Sequence, residues 1–224
     1  MEKILHTSLI IHIAFGFIAL AAGFLAISFK KGTYPHNLSG KIYYWCMIGI
    51  GITAFFIAIP KGNMFLLMIA GFSSYMTLTG YRFLEFRRNP LLRMGRKDQA
   101  FRAVGFLTLL VPMLFFSYQG WEQMGGFIVV FGVFGLIMLG MLLGDFRLSA
   151  HLSTKSKAWL LGMHISRMMG AFIATFTAFL VQNWQTDPVF IAWLLPTVVF
   201  TPLIIYYQKK FRTQSPKLKE QSLH

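Results

Sequence analysis

Seven apolar runs, each long enough to cross a bilayer, leave this chain of 224 residues little choice of fold. A hydrocarbon core of about 30 Å takes roughly 20 apolar residues in helical form. Such runs fall at about 8–29, 42–60, 64–84, 103–119, 126–144, 159–181 and 188–207. Backbone polar groups in hydrocarbon must be satisfied within the spanning structure, so helices or a closed barrel are the available solutions. No apolar/polar alternation is sustained anywhere, which excludes the barrel. The sequence predicts an all-α polytopic bundle, with one transmembrane domain over 1–208 and a basic tail over 209–224. The first run follows a leader of no net charge (Glu2, Lys3) and outlasts a signal-peptide core, so it reads as a retained helix.

Charge orients the bundle. At 56% hydrophobic and 12% charged the chain has too few charges for a soluble surface, which carries about a quarter. Its net charge of +14 would suit nucleic acid only if the cations formed one patch on a soluble fold. They lie instead between the apolar runs, so the partner is the lipid bilayer and not nucleic acid. With the N-terminus outside, every Lys and Arg except Lys3, Lys61 and Arg167 falls in a cytoplasmic segment or at its edge. The opposite threading would invert that ratio against the positive-inside rule. The expectation is a multi-pass protein of the inner membrane, N-terminus out and C-terminus in. Two longer cytoplasmic loops are expected, at 85–102 and 145–158.

Small residues recur along three runs: Gly16, Ala19 and Gly23; Gly140 and Gly144; and Gly162, Ser166, Gly170, Ala174 and Ala178. Such rows let helices approach closely. Packing inside the bundle accounts for them; docking of another membrane protein or of a second copy is the alternative.

Ionisable residues inside a bilayer are functional candidates by default. No carboxylate is expected deep in a run, with Glu85 and Asp145 at inner ends, and no catalytic set is present. His12, His164 and Arg167 remain. His12 enters from outside and His164 from inside, about 16 Å apart along the normal, too far to share one metal. His36 and His151, read as loop residues, lie at the level of His164. The expected cofactor cluster is therefore His36, His151 and His164, with Met168 one turn beyond, holding one b-type haem or a metal ion. Arg167 either snorkels to the headgroups or meets an anion such as Asp145, a haem propionate or a lipid phosphate.

The motifs His12-x-x-x-Gly16, His36-x-x-x-Gly40-Lys41-x-Tyr43-x-x-x-Met47 and His164-x-x-x-Met168 resemble a family of bacterial multi-pass membrane proteins without an assigned function (domain of unknown function 2306). The resemblance implies that His12, His36 and His164 are the family's histidines. Asn37 and Ile165 stand where arginine commonly follows in that family. The residues favour a structural or assembly factor for another membrane protein. Two alternatives stay open: a haem- or metal-binding redox protein, and a carrier for a small uncharged or lipidic molecule.

Overall fold

A computed structural model describes residues 2–220, with side chains given for 2–122 and 124–211. Seven long helices follow one another: α1 (Glu2–Ser28), α2 (Tyr34–Ala58), α3 (Met64–Arg88), α4 (Arg96–Gln119), α5 (Phe127–His151), α6 (Lys157–Asn183) and α7 (Phe190–Glu220). Short 3₁₀ turns at Trp121–Met124 and Leu152–Thr154 join α4 to α5 and α5 to α6, and no strand occurs among the described residues. All seven helices are long and apolar enough to cross a membrane. This is the architecture of a multi-pass membrane protein in contact with lipid.

The helices overrun the apolar runs, because capping chemistry rather than hydrophobicity sets their ends. Pro35 opens α2, where its missing N–H is no loss. Asn63 Oδ1 accepts the Leu66 N–H at the start of α3, and Ser156 Oγ accepts the Trp159 N–H at the start of α6. Asp98 reaches back to the Gly95 N–H at 2.9 Å and also receives Arg82 from α3 through two bonds, at 2.8 and 3.1 Å. The expected long loops at 85–102 and 145–158 therefore contract to 89–95 and 152–156. His36 and His151 are helix-end residues, not loop residues. The expected tail at 209–224 continues α7 to Glu220; the side chains of Arg212, Lys217 and Lys219, and residues 221–224, lie outside the described residues.

Helix α3 forms the centre, packed against α2, α4 and α6 and touching α5. Its Met68, Phe72, Tyr75 and Met76 are buried with Phe134 and Met138 of α5 and Phe172 of α6. Parts of two small-residue rows are consumed here. Ala19 is fully buried, and a Cβ on Gly23 would lie 2.6 Å from the Phe172 ring. A Cβ on Gly170 would lie 2.8 Å from the Met76 sulfur. Gly140 and Gly144 depart from the expected tight packing, since a methyl on either would meet nothing within 4 Å. The cause is the seating of α5: it meets α3, α4 and α7, while its backbone stays away from that of α6.

Candidate functional site

Helix α6 carries chemistry on two faces. On one, Arg167 Nη2 donates to Asp145 Oδ1 of α5 at 2.9 Å, and both residues are only 4% exposed. The Tyr75 hydroxyl of α3 donates to Asp145 Oδ2 at 2.6 Å, and Arg102 Nη1 of α4 donates to the Asp145 backbone carbonyl at 3.1 Å. The Arg167 guanidinium also stands over the Tyr75 and Phe83 rings, 5.5 and 5.9 Å from their centres. Of the two expectations for Arg167, pairing with an anion is what the fold shows. Asp145 is not a headgroup-level acid at a helix end; it is buried inside the bundle. One guanidinium nitrogen, Nη1, is buried without a hydrogen-bond partner.

The gap between α5 and α6 is a cleft of about 640 Å³, closed at the side by α7 and floored by Phe72 and Met76 of α3. Arg167 and Asp145 line it, as do the uncovered Gly140 and Gly144. Arg147, His151 and Lys155 line the end nearest the basic turns. The lining is otherwise mostly apolar. Thr197 of α7 adds a second buried polar group without a partner.

His164 lies one turn before Arg167, about 60° round the helix, and does not line the cleft. At about 100° per residue, His164 and Met168 point one way, and Met163, Ser166 and Gly170 point into the cleft. His164 Nδ1 bonds the Gly80 carbonyl of α3 at 2.8 Å. His36 Nδ1, in the first turn of α2, bonds the Ala26 carbonyl at 2.9 Å, one of the carbonyls the end of α1 leaves open. A carbonyl only accepts, so each Nδ1 carries the hydrogen and each Nε2 keeps its lone pair. The two histidines share a level. Thr175 Oγ1 of α6 meets Met47 Sδ of α2 at 3.1 Å, and each of these lies eleven residues beyond its own helix's histidine, on helices that run in the same direction. His36 is within electrostatic reach of His164, as are Arg87 and Arg88, and Lys31 is within reach of His36. Lys31 closes the end of α1 through Ala26 O and Ile27 O, and burial pulls its ammonium below the ordinary lysine range.

The structure thus brings together two of the sequence-predicted site residues, His36 and His164, with Met168 beside them. The Met168 sulfur lies 2.9 Å from where a Cβ on Gly80 would be. His151 is set apart from them, on the cleft side. His12 bonds Thr53 Oγ1 at 2.9 Å, and Thr53 is seventeen residues past His36 on α2, a rise of about 26 Å. The separation from His164 therefore exceeds the expected 16 Å, because the helices extend past the apolar runs. Among the described residues no group of three or more His, Cys, Asp or Glu side chains is placed to hold a metal ion. Sequence reasoning missed Tyr75 and Gly80. An acid within the run ending Leu-Gly-Asp145 was the one signal for the first, and nothing local marked the second. Comparison with family models, with characterised proteins and with solved structures finds no match, so the likeness to the uncharacterised bacterial family rests on the quoted motifs alone.

Proposed function

We propose that the chain is a haem-binding protein of the inner membrane, threaded N-terminus out, that holds one b-type haem between His36 and His164 near the cytoplasmic side. One observation carries this reading: two imidazoles at the same level, on different helices, each fixed through Nδ1 to a backbone carbonyl and each with a free Nε2. A carbonyl bond to the second ring nitrogen is the usual way a ligating histidine is oriented. Two nitrogens undersupply a bare zinc-like ion, which takes four ligands. They suffice for haem, whose macrocycle brings its own four and asks the protein for axial ligands only. The backbones of α2 and α6 do not approach each other, which suits a flat group between them. Arg87, whose Nε is buried without a partner, and Arg88 and Lys31 supply the positive charge that two propionates require. When bound, haem supplies a one-electron couple; the chain's residues orient it and neutralise its carboxylates. The basic turns at 29–33, 89–95 and 152–156, all at one end of the bundle, support this threading.

The test is an absorption spectrum and pyridine haemochrome assay on detergent-purified protein from haem-replete cells. A Soret band is expected, lost in His164→Ala and in His36→Ala and kept in His151→Ala. Colourless wild-type protein overturns the reading.

A further inference from the structure

We propose that the cleft between α5, α6 and α7 is a binding site for one acidic glycerolipid, with its phosphate at Arg147 and Lys155, an ester carbonyl on Arg167 Nη1 and an acyl chain along Gly140 and Gly144. The assignment does not depend on the haem reading, since neither His36 nor His164 lines the cleft.

The polar end identifies the head. Arg167 lines the cleft and is 4% exposed; its Nη2 is bonded to Asp145, and its Nη1 is buried without a partner. A buried donor left unpaired is costly, so an acceptor oxygen belongs there. The charge of Arg167 is already balanced by Asp145. A second anion at Nη1 would sit beside that carboxylate and be repelled, whereas a neutral ester carbonyl would not. The net negative charge belongs where the cleft is cationic, at Arg147 and Lys155. Arg147 follows Asp145 by two residues on α5, a rise of about 3 Å. The ordering of cations first and orphan donor just beyond matches phosphate and then ester along a glycerolipid.

The apolar end identifies the tail. From Asp145 to Phe134 the α5 wall rises about 16 Å, roughly half of a 30 Å core, so the cleft is one leaflet deep. Gly140 and Gly144 have nothing within 4 Å of a methyl position and leave a channel that larger side chains would fill. A cavity of about 640 Å³ lies within the usual range for small-molecule sites. A helix from a second copy against Gly140 and Gly144 is the competing occupant, but it would leave Nη1 without its acceptor.

Native mass spectrometry of the full chain, delipidated in detergent and titrated with lipid, tests this. Phosphatidylglycerol is expected to bind one to one, with phosphatidylcholine of the same chains much weaker. Inorganic phosphate alone should neither bind nor displace the lipid. At about 1 kcal/mol for each cation, Arg147→Ala with Lys155→Ala should weaken phosphatidylglycerol about thirtyfold. Gly144→Leu leaves the Arg167–Asp145 pair intact and should abolish the adduct. Equal binding of the two lipids, unchanged binding by Gly144→Leu, competition by free phosphate, or a dimer that forms in place of the adduct would each overturn the proposal. His164→Ala should bind the lipid as wild type does, so this proposal and the haem reading can fail separately.

Discussion

The two faces of α6 handle the same physical problem in opposite ways. On the cleft face the polar groups satisfy one another: Arg167 and Asp145 neutralise each other's charge, and Tyr75 and Arg102 take up further oxygens of Asp145. On the other face, His164 and His36 take hold of backbone carbonyls and leave their second nitrogens free. A buried ion pair is expensive to break because each half is stranded by loss of the other. A neutral imidazole can lose its neighbour cheaply. The first face is therefore built for rigidity with one donor to spare, and the second for ligation. Gly80 joins them, since its carbonyl receives His164 and its missing side chain admits Arg167 and Met168.

The largest effect expected on this contrast comes from Arg167→Leu. Leaving Asp145 charged and unpaired should lower stability by about 3–5 kcal/mol, measured by denaturant unfolding in micelles. Combining it with Asp145→Leu should recover most of that loss. A single variant with wild-type stability would show that the pair is solvated and erase the distinction between the faces. His164→Ala, by contrast, should leave unfolding close to wild type while removing haem.

Gly80→Ala sharpens the comparison by touching both faces at once. Its methyl would lie 2.9 Å from Arg167 Cβ and from Met168 Sδ. The Arg167 contact is with an atom next to the backbone and cannot swing away, so α3 and α6 must separate slightly. Overpacking of this kind costs about 1–3 kcal/mol, and the Soret band should shift or weaken in parallel. A variant that loses stability but binds haem normally would uncouple the two faces. The smallest effect, and of opposite sign, is expected at Gly144→Ala. Nothing lies within 4 Å of the new methyl, so the helix gains about 0.5–1 kcal/mol, seen as a modest rise in melting temperature. A loss there would mean that another helix occupies the row.

The sequence already contained the seven helices and the gathering of cations at one end of the bundle. It contained the pairing of Arg167 with Asp145 only as one of several options. Expected and observed helices differ mainly at their ends, where Pro35, Asp98 and Ser156 stand at starts that precede the hydrophobic run. Pro35 changed the site, because the helix it opens holds His36 in its first turn, against the Ala26 carbonyl. His151 lines the cleft and His164 does not, because position around a helix was not legible in the chain.

Hydropathy and charge act along the chain, residue by residue, against a solvent of fixed thickness, so span number and the segregation of basic turns are settled before any helix meets another. Lateral placement is a different kind of quantity. Tyr75 reaches Asp145 across seventy residues and His164 reaches Gly80 across eighty-four, through the shapes of helices packed side by side. The cleft exists because α5 leans on α3 and α4 rather than on α6. No periodicity within α5 or α6 alone encodes that choice. It is decided by the summed fit of Met, Phe and Gly surfaces around α3, which only the assembled bundle evaluates.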